Sequence, residues 1–491
     1  MSRKKHSKKH SKKQKNSSQF YFINWGLFVL STILSAMVAC YMYKYSFLAF
    51  RNINLIYAAV LAIVFFVALV TLLRKKGRIL LMVLLLLTNL VTGMALYAFK
   101  STADFSKKIN NTASISEIEM SVLVPADSAI ADVKELTTVL TPLRSDQANI
   151  EELLTHIQSD KNVTLIPQEV DSYQSAYDQI MSGSAQAMVM NGAYESLLEI
   201  AYPDFKEKVK KIYSYTLTKS VAPEDQASQE QATKSGVFNI YVSGIDTYGS
   251  ISTVSRSDVN IILTVNVNTH KILLTTTPRD SYVQIPDGGG NQYDKLTHAG
   301  IYGVEASVKT LENLYGIDIQ YYARINFTSF LNLIDLLGGV DIMNDQAFVA
   351  GGNDFPVGTV HLNSEKALVF VRERKSLESG DNDRGRNQIK VISAIINKLA
   401  SVDSIANISS VVTGLQNSVQ TNMDLETIMA IANKQLSSGS KFNVTSQDVT
   451  GTGSTGELPS YAMPNAALYM YSLDPASVEA AKQRMSAIVE E

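Results

Sequence analysis

A single cysteine in 491 residues excludes an intramolecular disulfide, and that residue, Cys40, lies inside an apolar run. Any exported part of the chain must therefore hold together by its core, for which the roughly 390 residues after the apolar head suffice. Acidic side chains are missing from the head. No Asp or Glu precedes Asp104, while the first hundred residues carry 15 of the 44 Lys and Arg. The formal net charge of −2 hides this asymmetry, because the remainder has 29 basic against 46 acidic side chains, a net of −17. The chain also lacks G-x-x-x-x-G-K-[ST], which argues against nucleotide hydrolysis. Its length predicts two or three folded units.

The basic head begins with eight Lys/Arg plus His6 and His10 within residues 2–15. Such a run reads as a disordered, positive-inside anchor. It could mimic a nucleic-acid-binding arm electrostatically, but no folded recognition motif accompanies it, so nucleic acid is not an expected partner. Three charge-free spans follow, Phe20–Tyr43, Asn52–Leu73 and Ile79–Phe99, each long enough to cross a bilayer as a helix. Between the second and third lies Arg74-Lys75-Lys76-Gly77-Arg78, whereas Tyr45–Asn54 carries only Arg51. The positive-inside rule then puts the N-terminus and the Arg74 loop in the cytoplasm, and everything after Lys100 outside a plasma membrane crossed three times. Three long spans in succession are not the pattern of a cleaved signal peptide.

The rest divides by composition. Ser101–Ser116 is a polar connection, and Glu119 to about Lys219 reads as a small α/β unit, with short apolar runs at Met120–Val124, Val163–Ile166 and Ala187–Met190 and helical patterns at Ser172–Met181 and Ala193–Ile200. No metal-ligand spacing, phosphate loop or triad is visible there, so a spacing or docking role is expected. Val221–Ser235, rich in Ala, Gln, Glu, Ser and Lys, reads as a linker. The expected division is a basic tail (1–19), three transmembrane helices (20–100), an accessory domain (101–220), a linker (221–236), a main domain (237–401) and a C-terminal extension packing on it (402–491).

The chemistry concentrates in Ile240–Asp280, which holds Asp246, Arg256, Asp258, Arg279 and Asp280. Val259, Ile261, Leu263 and Val265 alternate with Asn260, Thr264 and Asn266, as in a strand with one face in a core. If Lys271–Thr277 returns as a second strand after a turn near Asn268-Thr269, Asp258 sits opposite Arg279. Carboxylates suit a hard cation such as Mg²⁺, or Mn²⁺, and arginine forks suit phosphate oxygens. The stretch thus predicts a metal-assisted pyrophosphate site. A second charged cluster comprises Arg372-Glu373-Arg374 and Asp381 to Gln388. Asp383 is placed to cap a helix running to about Ala400, with Ile389, Ile392, Ile396 and Leu399 as its apolar stripe. Arg384 and Gln388 lie four apart on one face of it. Between the clusters, helices are expected at Val304–Leu314 and Phe327–Leu337, the latter ending at Gly338-Gly339, with strands at Tyr321–Asn326 and Val340–Met343.

Several runs together resemble the LytR–CpsA–Psr (LCP) family of Gram-positive envelope proteins. They are Gly244-Ile245-Asp246, Ser255-Arg256-Ser257-Asp258, Pro278-Arg279-Asp280, Lys295-Leu296-Thr297-His298-Ala299, Gly338-Gly339-Val340, Val371-Arg372-Glu373-Arg374 and Asp381 to Gln388, in that order. The three spans and the unit at 119–219 resemble the streptococcal capsule-locus branch, the CpsA-type proteins with an accessory domain. The charged motif positions show no departure, and a Gly288-Gly289-Gly290 run enlarges the loop after Arg279.

The resemblance implies an α/β fold, with three N-terminal transmembrane helices, a small α/β accessory domain and an extracellular LCP domain whose central mixed sheet is flanked by helices. It further implies a phosphotransferase that moves capsular polysaccharide from an undecaprenyl-pyrophosphate carrier to peptidoglycan. In that reading Asp246 and Asp258 hold Mg²⁺. Arg256, Arg279, Arg372, Arg374, Arg384 and Gln388 hold the pyrophosphate, with Arg256 and Arg279 acting on the developing charge, and Asp381 orients arginines or serves as base. The polyprenyl tail would lie in an apolar tunnel that the Val304–Leu314 and Phe327–Leu337 helices could line. Membrane, peptidoglycan and capsule synthesis proteins are the implied partners. The alternative is a membrane-bound regulator of capsule expression, acting through the lysine-rich arm.

Overall fold

The computed structural model describes residues 3–113, 115–142, 146–220, 226–245, 247, 250–399 and 419–491. They form two compact units. The first contains residues up to 107 together with 424–440. Helix α1 (Arg3–Tyr45) is followed by α2 (Ile53–Arg74) and α3 (Arg78–Ala113). Their apolar spans, Phe20–Tyr45, Phe50–Arg74 and Arg78–Lys108, have mean hydropathies of 1.8, 2.9 and 2.4, long and apolar enough to cross a membrane. Two expectations change here. The basic arm is a continuation of α1, and the polar connection after Phe99 is a continuation of α3. Neither stretch contains Pro or Gly, and extending an existing helix is far cheaper than nucleating one.

The helices pack through Phe28, Ala68, Leu72, Leu81 and Leu85. Polar groups close the remaining gaps: Asn24 Nδ2 donates to the Arg78 carbonyl at 2.9 Å, and Asn89 Nδ2 to the Leu27 carbonyl at 3.2 Å. A further helix, Leu425–Ser438, belongs to this unit. Asp424 caps it by accepting from Thr427 N, and Leu425 and Met429 join Val38, Met42, Phe47 and Phe99 in one cluster. Asn433 accepts from Phe50 N at 3.1 Å and donates to the Ser46 carbonyl at 2.8 Å.

The second unit carries two large sheets, of five and six strands. The accessory sheet has the order β3-β2-β4-β1-β5, from β1 (Ile115–Pro125), β2 (Thr138–Pro142), β3 (Ile166–Val170), β4 (Met188–Asn191) and β5 (Val209–Ser220). It is covered by α4 (Gln147–Lys161), α5 (Tyr173–Met181), α6 (Glu195–Ala201) and the short α7 (Phe205–Lys208). Tyr173, Tyr194 and Leu198 here share a core with Val254, Ile301, Met463 and Met470 of the following domain. Two backbone bonds, Glu117 N to the Ser252 carbonyl and Val254 N to the Glu117 carbonyl, join the two folds further. Of the stretch read as a linker, residues 221–225 lie outside the described residues and the rest forms α8 (Gln226–Ser235), since its Ala, Gln and Glu are good helix formers, and it buries Ala232.

The main sheet has six strands in the order β16-β11-β6-β7-β8-β17. These are β6 (Val237–Ile245), β7 (Ser257–Asn266), β8 (Lys271–Thr276), β11 (Tyr321–Ile325), β16 (Gln420–Thr421) and β17 (Asn443–Asp448). Smaller pairs join β9 (Tyr282–Ile285) to β10 (Gln292–Lys295), β12 (Val340–Asn344) to β15 (Gly358–Leu362), β13 (Phe348–Ala350) to β14 (Asn353–Phe355), and β18 (Gly451–Thr455) to β19 (Tyr469–Leu473). The residues beyond 402 thus supply both edge strands of the sheet.

After the short α9 (Leu296–Ala299) come α10 (Val304–Tyr315), α11 (Phe327–Leu336), α12 (Ser364–Arg372), α13 (Asp381–Leu399) and α14 (Pro475–Glu490). α10 and α14 cover one face through Val308, Leu311, Tyr315, Ala481 and Met485, against Tyr241, Ile262 and Leu273. Helices α11 to α13 form their own core of Phe330, Ile334, Phe370, Val391 and Ile395 on the other side. β7 is therefore buried on both faces, not one. Its polar Asn260 is satisfied internally, with Tyr241 Oη donating to Asn260 Oδ1 at 2.7 Å and Asn260 Nδ2 to the Ser257 carbonyl at 3.0 Å.

Candidate functional site: an arginine-rimmed apolar cavity

The β7–β8 hairpin has the expected register, pairing Asn266 with Lys271 and Ile261 with Thr276. Thr277 N donates to the Asn260 carbonyl and carries the same register one step on, which brings Asp258 across from Arg279. Their side chains meet, Arg279 Nη1 lying 3.0 Å from Asp258 Oδ2. On its other side β7 pairs Gly244 with Val259 but Ile245 with Ser257. Asp258 is thus the extra residue of a bulge, a device that re-aims a side chain at a strand end.

Around this pair a second layer of contacts converges from α9. Thr297 Oγ1 donates to Asp258 Oδ1 at 3.0 Å, and Thr297 N donates to the Arg279 carbonyl at 2.8 Å. Lys295 Nζ lies 2.9 Å from Asp280 Oδ1, and Asp280 Oδ2 lies 3.8 Å from Arg279 Nε. Burial alone would push the Asp258 carboxyl up. The guanidinium groups of Arg279, Arg256 and Arg384 and the Thr297 hydroxyl outweigh it and hold the group below the usual carboxylate range. Arg256 is itself half-buried, and it is positioned by a close backbone approach. A Cβ on Gly300 would stand 2.5 Å from the Ser255 carbonyl oxygen and 2.6 Å from Ser257 N.

Helices α11, α12 and α13 complete the site. Asn326 caps α11, accepting from Ser329 N at 2.9 Å, so that Phe327 stands at the first helical position. The Arg372 guanidinium, in the last turn of α12, lies 4.2 Å from the Phe327 ring centroid, a cation–π contact. Gln388 Nε2 donates to the Val371 carbonyl at 3.3 Å and so ties α13 to the end of α12. Glu373 turns into its own loop, accepting from Ser376 N. α13 starts at Asp381, so Asp383 sits inside its first turn, where it accepts from Ser379 N and pairs with Arg386. Its buried stripe is Ile389, Val391 and Ile395, one residue off the expected set beyond Ile389, with Leu399 exposed.

Together these elements enclose a cavity of about 280 Å³. It is lined by Asp258, Arg279, Arg372, Arg374, Arg384 and Gln388 together with the apolar Val259, Ile325, Phe327, Phe330, Leu368 and Ile392. Of the two helices expected beside an apolar tunnel, α11 lines it. α10 does not, because it covers the opposite face of the sheet. Arg256 stands beside Asp258 without lining the cavity. Asp246 lies outside the described residues. Asp381 begins α13 and its side chain is likewise outside the description. Thr297, Lys295 and Phe327 were not singled out from the sequence as site residues. The run Lys295-Leu296-Thr297-His298-Ala299 was visible, but its contact with Asp258, 39 positions away, is tertiary.

Among the described residues, no group of three His, Cys, Asp or Glu side chains could hold a metal alone. Mg²⁺ takes one or two carboxylates and completes its shell with phosphate oxygens and water. Asp258 has the donor chemistry for that arrangement, and Asp246 directly follows Ile245, the partner of Ser257.

Comparisons with known proteins bear on the same region. The chain is 34% identical over 247 residues to the polyisoprenyl-teichoic acid–peptidoglycan teichoic acid transferase TagU of Oceanobacillus iheyensis, covering 49% of this chain and 75% of the relative. Over 191 residues it is 37% identical to the Bacillus mycoides protein of the same name, covering 39% of this chain and 62% of that one. Over 256 residues it is 33% identical to the Enterococcus faecalis one, covering 51% and 80%. Crystal structures of B. subtilis TagU and TagV each align at 26% identity over 52% of this chain, covering 97% and 98% of those chains, with TM-scores of 0.41 and 0.45. A model for DNA polymerase processivity factors matches residues 75–190, a stretch that includes α3. The LytR_cpsA_psr family model matches residues 203–487, which contain every strand and helix around the arginine-rimmed cavity. That match spans more than half of the chain, and the protein belongs to the LytR_cpsA_psr family.

Proposed function

We propose that this protein is a membrane-anchored transferase that moves a glycopolymer, capsular polysaccharide in this case, from a polyprenyl-pyrophosphate carrier to peptidoglycan. The observation that carries the reading is the mixed lining of the cavity, in which four arginines share one space with aliphatic and aromatic side chains. A diphosphate head on a prenyl chain has the same two characters. The names of the relatives support the transfer class, since they act on polyisoprenyl-linked teichoic acid and peptidoglycan. Carrier and acceptor lie outside the cell in such a reaction, which agrees with the inside-positive charge of the loops.

Phosphoryl transfer asks a protein chiefly for positioning and charge neutralisation. Arg279, Arg372, Arg374 and Arg384 would grip the phosphate oxygens with planar forks, and the apolar walls strengthen each contact by excluding water. Asp258 and Thr297 orient Arg279, and Phe327 holds Arg372, so the donors are arranged before substrate arrives. Asp258, with Asp246, would hold Mg²⁺, which supplies further neutralisation of phosphate oxygens. The cationic end also answers a long-range problem, because the body beyond residue 100 carries a net −17 and would otherwise repel a diphosphate.

The test uses the full chain in detergent with a polyprenyl-pyrophosphate-linked oligosaccharide and a soluble peptidoglycan acceptor. Release of polyprenyl phosphate is expected to require Mg²⁺ and to fall by roughly 100-fold or more in Arg279→Ala, with the fold retained. Unchanged release in Arg279→Ala, or no release by the unaltered protein, would sink the reading.

A further inference from the structure

Asp258, Arg279, Arg384 and Gln388 border two cavities, not one. The second, of about 90 Å³, lies where the ends of β7, β8 and β17 meet the first turn of α13. Its character differs from the first. Asn260, Thr276, Thr277, Asp448 and Thr450 line it beside Pro278 and Val449, and it is too small to hold a prenyl chain.

The position of Asp448 follows from strand geometry. β17 runs parallel to β8 with Asp448 paired to Thr276, and Val449 N donates to the Thr276 carbonyl at 3.2 Å. Gln447, one residue earlier, is buried on the α14 face, where its Nε2 donates to Thr275 Oγ1 at 2.8 Å and to the Ala481 carbonyl at 3.0 Å. Alternation along the strand turns Asp448 to the opposite face, the one that carries Arg384 and Arg386. A close approach keeps α13 over this chamber. A Cβ on Gly385 would stand 3.3 Å from Thr276 Cγ2, a tight contact that shows how closely α13 lies over β8 here.

We propose that this chamber receives the hydroxyl group of the acceptor saccharide and that Asp448 takes up its proton. The inference rests on the transferase reading above. In-line displacement puts the nucleophile opposite the leaving group. If polyprenyl phosphate departs toward the apolar cavity, the acceptor arrives from the far side of the four shared side chains, which is this chamber. A bond forms between the acceptor oxygen and the phosphorus that bears the polymer. The bond from that phosphorus to the bridging oxygen breaks, and polyprenyl phosphate leaves with the electron pair. The proton passes from the hydroxyl to the Asp448 carboxylate, so no further reactant is needed. Asp448 keeps one side on solvent, and partial desolvation raises its carboxyl above the ordinary range against the opposing charge of Arg386, as suits a proton acceptor. The chamber's size admits a hydroxyl or hydroxymethyl group of a glycan whose bulk stays outside.

The experiment measures donor binding and transfer separately on the full chain in detergent, with the donor and acceptor probes named above. Asp448→Asn should lower kcat for transfer by about 100-fold while leaving the donor Kd within about twofold, and Asp448→Glu should recover part of the loss. Thr450→Trp, which fills the chamber from an exposed loop, should raise the acceptor KM by about tenfold with the donor Kd unchanged. Transfer at the wild-type rate in Asp448→Asn, or an unchanged acceptor KM in Thr450→Trp, overturns the proposal. So does loss of donor binding in Asp448→Asn, which would mark a structural role. An unaltered protein that bound donor but turned none over would overturn the transferase reading and this inference with it.

Discussion

Asp294 and Asp258 are both enclosed carboxylates of one domain, yet they serve different ends. Asp258 lines the cavity, while Asp294 is fully buried and takes no part in its lining. Asp294 accepts from Ser460 Oγ, Ala462 N and Lys295 N, each at 2.8 Å, and lies 2.9 Å from His298 Nδ1. Burial alone would push its carboxyl up, but His298 and the backbone donors hold it below the usual range. A depressed folded value contributes stability that is complete above the unfolded value near about 4 and is lost as pH falls through the folded one. Melting of the full chain should therefore fall steeply below pH about 4, and the gap between wild type and Asp294→Asn should narrow across that window. A gap constant from pH 7 to 3 would show that this carboxyl is not the group responsible.

At the level of elements, the site depends on backbones approaching where only a hydrogen can intervene. Gly300 follows α9 directly and presses on Ser255–Ser257, the segment that leads Arg256 and Asp258 into β7. Backbone atoms cannot rotate aside as a side chain can. Gly300→Ala should therefore cost about 1–3 kcal/mol of stability and weaken donor binding, because Arg256 and the bulge at Asp258 must shift together. Calorimetry and donor titration on one sample check both effects, and a variant with wild-type values in each would show that the segment is free to move. Arg324 plays a quieter role in the same region. It is buried and donates to the Ile251 and Thr253 carbonyls, which fastens the loop between β6 and β7.

For the whole molecule, the question is which side of the membrane each end of the helices faces. Cys40 is the only native thiol, so a Cys40→Ser background is blank to thiol reagents. In that background Lys44→Cys, at the end of α1, should react with an impermeant reagent added to intact cells. Lys76→Cys, between α2 and α3, should react only after the cells are opened. The reverse pattern would place the arginine-rimmed cavity in the cytoplasm, away from peptidoglycan, and would end the transfer proposal.

Local physics made some of this architecture readable in advance. Charge-free spans of more than 20 residues have one stable fate in a bilayer, so α1 to α3 were legible from composition. The Asp258–Arg279 pairing was legible too, because a short turn between two strands sets their register and everything that follows. The bulge that aims Asp258 was not, since it arises from the pairing of β7 with β6 and not from β7 itself. Nor was the edge strand β17, which joins β8 from about 170 positions away through parallel pairing that leaves no local mark. Sequence alone determined which residues bring charge and which bring apolar surface. The tertiary structure decided which of them share a wall, because Thr297, Phe327 and Asp448 reach the arginines only through long-range packing of α9, α11 and β17.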